Sequence, residues 1–197
     1  MTYEHVPTRG ILSLYKIPDH WTDDDFRYWW CPVVDKRTNQ IMQAARMSDE
    51  AKANRLVQAP VENMLTNAGI TLWLANNSAS GQGNMYPFSQ ILSVGNGSFT
   101  GATRTATSVS GDGFTSGARK APVSNSQVGF QSTIVFNFAS GDAVGSWTNA
   151  GLYGYNTSSP ANATTTSGTG TLMTIAPFVF TKGASAYAVN YVFLLSN

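Results

Sequence analysis

Large apolar side chains alternate with smaller or polar ones near the end of the chain, over residues 187–195. Tyr187, Val189 and Tyr191 fall on one face of an extended chain, and the intervening residues fall on the other. This period of two predicts a β-strand, because successive side chains of a strand point to opposite faces. The second face becomes apolar toward the end, so we expect the strand to be covered on both sides there.

Similar short stretches recur from residue 66 onward, separated by loops rich in Ser, Gly, Asn and Thr. The predicted strands are 70–74, 89–94, 103–109, 133–138, 147–153, 171–176 and 187–195. Short strands with turn residues between them and no helical stretch indicate an antiparallel sandwich or barrel. We therefore predict an all-β fold, an antiparallel β-sandwich of jelly-roll-like type. The loop at 156–170 is low in complexity and lacks large apolar side chains beyond its edge, so we expect it to be exposed.

Charged residues are concentrated in the first part of the chain. Residues 1–62 hold 17 of the 23 Lys, Arg, Asp and Glu residues, and residues 63–197 hold the other six. Such a shift in composition predicts two regions with different roles. We assign 63–197 to the β-sandwich domain and 1–62 to an N-terminal attachment arm, extended or short-helical. Within the arm, 11–17 predicts a short strand and 48–58 a connector helix.

Aromatic residues crowd the segment after Pro18. The predicted partner-binding residues are Trp21, Phe26, Tyr28, Trp29 and Trp30. Aromatic side chains in a short charged segment are typical of a docking surface, although they would also serve to anchor the arm on the β-domain. Thr22 or Asp23 is a suitable N-cap for a short helix. The three adjacent aspartates favour a solvated helix start over a metal site, because consecutive helical residues point in different directions.

The inventory of reactive groups argues against catalysis. Cys31 is the only cysteine, so an intrachain disulfide is excluded, and only His5 and His20 are available as imidazole bases. Asp112 and Asp142 lie in glycine-flanked turns, where Asp commonly binds local backbone groups. No His, Cys, Asp or Glu spacing matches a zinc site. We expect no enzymatic activity, no cofactor and no metal.

The net charge and the apolar runs narrow the choice of partners. The formal net charge is +1, which gives no electrostatic reason to expect binding to nucleic acid. No apolar run approaches the roughly 20 residues that span a bilayer, so we expect no membrane insertion. The N-terminus lacks the features of a signal peptide, and we expect synthesis in a cytoplasm.

The order of several motifs carries a resemblance to a known family. The motifs are Thr66-Asn67-Ala68-Gly69, Val94-Gly95-Asn96-Gly97, the strands at 134–138 and 147–153, a Pro177-x-x-x-x-Lys182 unit and the final strand. In this order the chain, over about 63–197, resembles the tail-fibre-like or minor structural proteins of tailed bacteriophages. One departure is Asn149, which stands where the family commonly has Glu two places before a Gly-Leu pair.

The resemblance implies a virion structural protein, made in the host cytoplasm and located in the virion. We expect a neck- or tail-associated fibre-like or decoration subunit, anchored by residues 1–62 with its β-domain projecting outward. It implies a homo-oligomer, a trimer or a higher ring, with portal, adaptor, tail or capsid proteins as partners. The alternatives are a capsid cement protein and a carbohydrate-binding adhesin. An adhesin that recognises a host surface glycan would stack sugar rings on Trp147, Tyr153 and Tyr155, whereas the simpler interpretation of these aromatics is core packing.

Overall fold

The computed structural model describes residues 8–22, 24–26, 33–34, 41–43, 64–71, 91–114, 116–128, 131–154 and 163–195. The strands, in chain order, are β1 Thr8–Lys16, β2 Val33–Val34, β3 Ile41–Gln43, β4 Met64–Leu65, β5 Ile91–Gly95, β6 Arg119–Lys120, β7 Pro122–Val128, β8 Gln131–Phe138, β9 Gly145–Gly154, β10 Thr171–Lys182 and β11 Tyr187–Leu195. Residues 24–26 and 67–71 are helical. The prediction of an all-β fold is confirmed. In the described part of the chain, no helix is long and apolar enough to cross a membrane.

Contacts divide the chain into two compact units. The first comprises Met1–Glu62, Val123–Asn137 and Ser185–Asn197, and the second comprises Asn63–Pro122 and Phe138–Ala184. The predicted boundary between residues 62 and 63 is one of the points where the chain passes from one unit to the other. The first unit nevertheless joins residues of the predicted arm to strands of the predicted sandwich.

The first unit is built on a four-stranded sheet in the order β1-β11-β8-β7. β1 and β11 are antiparallel, and their register runs from Thr8 opposite Leu195 to Lys16 opposite Tyr187. Thr8–Lys16 is therefore a strand of the sheet and not a free arm. The core cluster of the first unit comprises Tyr15, Ile17, Phe26, Val135 and Ala188, with Trp21 and Ala186 packed against it. The short strands β2 and β3 pair with each other.

The second unit is built on a five-stranded sheet in the order β4-β10-β9-β5-β6. The long antiparallel pair β9–β10 forms its centre, with shifts of register between Leu172 and Thr174 and between Pro177 and Phe180. Nearly every side chain of β9 from Trp147 onward is buried. The core of this unit includes the cluster of Ile91, Val109, Tyr153, Ala163, Leu172 and Ile175.

Two of the predicted strands are wrong where the structure describes them. Residues 70–71 belong to a helix that begins after Thr66, because the Thr66 hydroxyl accepts the Gly69 N–H at 2.9 Å and caps the first turn. Residues 103–109 form turns and irregular structure, with no strand partner in the described part. The strands predicted at 11–17, 133–138, 147–153, 171–176 and 187–195 are present, and so is the described part of 89–94. The sequence pattern missed β2, β3, β4, β6 and β7, which are short or polar. The helix predicted at 48–58 lies outside the described residues.

Candidate functional site

Trp147, proposed from the sequence to stack on sugars, lies in the core of the second unit. It is fully buried, at 0% exposure. Its ring lies 5.0 Å from that of Phe138, 6.0 Å from that of Phe178 and 5.7 Å from that of Phe180, measured between centroids. Its indole Nε1 donates to the carbonyl oxygen of Ala143 at 2.7 Å. No ring face is left open to a sugar, so the structure agrees with the core-packing interpretation.

Tyr153 is also enclosed, at 3% exposure. Its hydroxyl accepts the backbone N–H of Val109 at 2.8 Å, and the guanidinium of Arg119 lies over its ring, 4.1 Å from the centroid. Burial raises the pKa of the Tyr153 hydroxyl. The ring is therefore occupied by a cation–π contact and is not free to stack on a ligand. Tyr155, the third predicted glycan contact, lies outside the described residues.

The predicted partner-binding aromatics divide between the core and the part of the chain that is not described. Phe26 is buried among Tyr15, Ile17 and other residues of the first core cluster, and Trp21 is partly buried against that cluster. These two side chains therefore anchor their segment on the core of the first unit. This agrees with the anchoring interpretation and not with a docking surface. Tyr28, Trp29 and Trp30 lie outside the described residues.

The segment that carries Phe26 begins with a capping box. The Thr22 hydroxyl accepts the Asp25 N–H at 3.2 Å, and Asp25 Oδ2 accepts the Thr22 N–H at 2.9 Å and its hydroxyl at 2.7 Å. These hydrogen bonds lower the pKa of Asp25. The Asp25 carboxylate thus serves a helix start, as predicted. Within the described ranges, no three His, Cys, Asp or Glu residues lie close enough together to hold a metal ion.

A polar cluster of the second unit surrounds Arg119, which is 4% exposed. Its Nε donates to the carbonyl oxygen of Thr164 at 3.1 Å and its Nη2 to that of Thr169 at 2.7 Å. Its Nη1 lies 3.8 Å from Asp112 Oδ2, and Ser167 Oγ donates to the same oxygen at 2.9 Å. Burial lowers the pKa of Arg119. The cluster ties two loops to the sheet.

The loop predicted at 156–170 is described from residue 163 onward. Most of this part is exposed, as predicted, but hydrogen bonds give it internal order. Thr169 Oγ1 accepts the Thr164 N–H at 2.9 Å and donates to the carbonyl oxygen of Thr166 at 2.8 Å. The residues 164–168 are exposed, whereas Ala163 is buried. Threonine hydroxyls and a buried guanidinium therefore organise 163–170 where apolar burial does not. An arginine in a nearly uncharged region was the only sequence signal for this role.

A second cluster closes the corner between β8 and β9. Lys182 is 1% exposed, and its Nζ donates to three carbonyl oxygens, those of Ala139 at 3.0 Å, Ser140 at 3.1 Å and Gly183 at 3.2 Å. Burial lowers the pKa of Lys182. Asp142 Oδ2 accepts the Ala139 N–H at 2.7 Å and pairs with Lys120. Asp142 is therefore a turn residue, as its glycine-flanked position predicted.

Three of the motifs that carry the family resemblance have similar structural roles. Thr66 caps a helix and donates its hydroxyl to the carbonyl oxygen of Leu172 on β10 at 2.6 Å. A Cβ at Gly95 would collide with the carbonyl oxygen of Ser110, so the loop approaches the sheet only because Gly95 has no side chain. Lys182 ends the Pro177-x-x-x-x-Lys182 motif. These three motifs thus hold a loop or a helix start against the sheet of the second unit.

Comparison of the chain with protein families, curated proteins and solved structures finds no match.

Proposed function

We propose that the protein is a structural subunit of a tailed-bacteriophage virion, a neck- or tail-associated fibre-like or decoration protein. The order of motifs along 63–197 supports this proposal, because residues of three of these motifs make the contacts that define the second unit. A decoration or cement role on the capsid belongs to the same class of function. In this proposal the strands form a jelly-roll-like sandwich, and the N-terminal region supplies the attachment to the particle.

The observation that carries the proposal is the use made of the buried polar groups. Arg119 and Lys182 donate to carbonyl oxygens of loops, and Asn149 pairs with both backbone groups of Ser110 and also donates to the Thr148 hydroxyl. Most donors of these side chains are used by such contacts, whereas Arg119 Nη1 has only the ion pair with Asp112, and side chains used in this way stiffen loops. A subunit whose role is mechanical benefits from loops that resist opening and proteolysis.

The proposal includes no catalytic role and no cofactor. Arg119 with Asp112 and Lys120 with Asp142 form ion pairs inside the second unit. The proposal also omits sugar stacking on Trp147 and Tyr153, since both rings are enclosed. A host glycan as ligand would need a different surface.

The test is the composition of purified particles. Particles from a host that expresses the phage genome encoding this chain are purified by density gradient and analysed by quantitative mass spectrometry. We expect the chain to copurify with the major capsid and tail proteins at a fixed ratio, and an antibody to label one place on the particle by electron microscopy. Finding the chain only in the lysate, with none in the particles, would overturn the proposal.

A further inference from the structure

Among the residues that the structure describes, β1 is an edge strand with one neighbour in its sheet. In the order β1-β11-β8-β7 that neighbour is β11, and the two strands pair over nine residues in unbroken register. Residues 17–186 separate the two strands in sequence, and the next strand of the same sheet along the chain, β7, begins only at Pro122. No short turn therefore joins β1 to any strand of its sheet.

The contacts of β1 are nonetheless those of a core element. Leu12 is 1% exposed and Leu14 is 0% exposed, and Ser13 and Tyr15 are buried with them. The pairing continues past the strand, because the Ile17 N–H donates to the carbonyl oxygen of Ala186 at 3.0 Å. A sheet without β1 would expose both the backbone groups of β11 and the apolar surface that these side chains cover. Such an edge is a strong template for another strand.

We propose that the β11 edge is an interaction surface for β1 of a second copy of this chain, so that copies assemble by exchanging Thr8–Lys16. A second copy is the favoured occupant because the register shows that β1 fits the β11 edge. Every copy carries both the strand β1 and the edge that receives it. In a hairpin, a short connection keeps the pairing within one chain through a high effective concentration. Here residues 17–186 separate the two strands, so closing the chain costs more entropy and this advantage is smaller, and exchange competes wherever copies are held close together.

The inference rests on the sheet of the first unit and does not require the protein to belong to a virion. It gives the N-terminal segment a means of linking subunits while it remains a strand. Reciprocal exchange between two copies closes a dimer, and exchange in one direction closes a ring if the rotation allows it.

Disulfide trapping between full-length chains tests the exchange. Ser13 lies opposite Asn190 in the β1–β11 register, at a Cα separation that a disulfide spans. One tagged chain carries Ser13→Cys and a chain with a different tag carries Asn190→Cys, both with Cys31→Ser. The two are coexpressed and oxidised, and mixed disulfides are counted by non-reducing electrophoresis and mass spectrometry. The matched control replaces Asn190→Cys by Ser98→Cys, since Ser98 is an exposed serine of the second unit.

We expect several-fold more mixed disulfide from the Ser13→Cys and Asn190→Cys pair than from the control pair. A single chain that carries both cysteines reports the register. If that chain closes its internal disulfide while the mixed pair gives no more product than the control, the pairing stays within one chain and the proposal is wrong. If the internal disulfide also fails to form, the register is wrong and the proposal falls with it.

Discussion

The side-chain amide of Asn149 pairs with both backbone groups of Ser110. Asn149 Oδ1 accepts the Ser110 N–H at 2.9 Å, and Asn149 Nδ2 donates to the Ser110 carbonyl oxygen at 3.0 Å. The side chain thus makes the two hydrogen bonds that a neighbouring strand would make to Ser110. Asn149 is fully buried. The Gly97 N–H also donates to the Ser110 carbonyl oxygen, at 3.0 Å. The loop at Ser110 therefore pairs with the loop that follows β5. Asn149 therefore determines how these two loops close over β9.

This pairing needs a donor and an acceptor on one side chain. Asn149→Asp keeps the acceptor but turns a carboxylate oxygen toward the Ser110 carbonyl oxygen, so we expect the variant to lose at least about 1–3 kcal/mol in the free energy of unfolding. Urea denaturation measures the loss. Asn96→Asp, at an exposed position in the same loop region, is the control and should change stability little. Equal stabilities for the two variants would show that the amide pairing contributes nothing.

Arg119 should control the order of the loop at 163–170. Arg119→Lys keeps the charge but cannot reach both threonine carbonyls with a planar fork while it covers the Tyr153 ring. We expect a loss of roughly 1–3 kcal/mol in unfolding free energy. In this variant, amide hydrogen exchange should also become faster at 163–170, and it should change less in the strands of the sheet. Arg104→Lys, at an exposed arginine, should leave both measurements unchanged. A loop that exchanges at the same rate in both variants would contradict this role.

Lys182 and Lys120 lie close to the same corner but differ in burial. Lys182→Met leaves three carbonyl oxygens without their donor, so we expect a loss of roughly 1–3 kcal/mol. Lys120→Met removes a partly exposed ion pair with Asp142, which is typically worth less than about 1 kcal/mol. Thermal and urea unfolding of the two variants, compared at one pH, tests this ranking. The reverse order would mean that the ion pair, and not the buried ammonium, holds the corner.

Trp147 should behave as a core residue. Trp147→Ala removes a fully buried ring and should cost roughly 3–5 kcal/mol of stability. Trp147→Phe retains an aromatic ring among Phe138, Phe178 and Phe180 and loses the hydrogen bond to Ala143, so its loss should be smaller. Circular dichroism melting curves of both variants give the comparison. A Trp147→Ala variant that melts like the natural protein and loses only glycan binding would restore the sugar-stacking interpretation.

The capping box at Thr22 should give the first unit a contribution to stability that is lost at acidic pH. The folded pKa of Asp25 is lowered from 3.8 by hydrogen bonds from Thr22. The stabilisation is therefore present above the unfolded pKa and is lost as the pH falls through the lower folded pKa. An NMR titration of the Asp25 carboxyl carbon measures this value directly. In Thr22→Ala, which keeps the backbone donor and removes the hydroxyl, the pKa should move up toward 3.8, and an unmoved pKa would exclude the hydroxyl as a cause.

Several features followed from local spacing and were therefore open to prediction. The alternation at Tyr187–Leu195 and at Gln131–Phe138 identifies strands because the period of two is a property of the extended backbone. Asp142 between glycines predicted a turn, and Thr22 a helix start, because both act on backbone groups within a few residues. The all-β class follows from the sum of such signals.

Pairings between distant residues were decided by the tertiary structure. Nothing near Thr8–Lys16 in sequence shows that its partner is the strand at the other end of the chain. Likewise, the roles of Arg119, Asn149 and Lys182 depend on which loops the sheet brings within hydrogen-bonding distance of them. Local periodicity records which face of a segment is apolar, whereas hydrogen bonds between distant residues depend on packing that no single segment encodes. Phe26 illustrates this limit, since it looks like a contact residue by composition and is made a core residue by its neighbours.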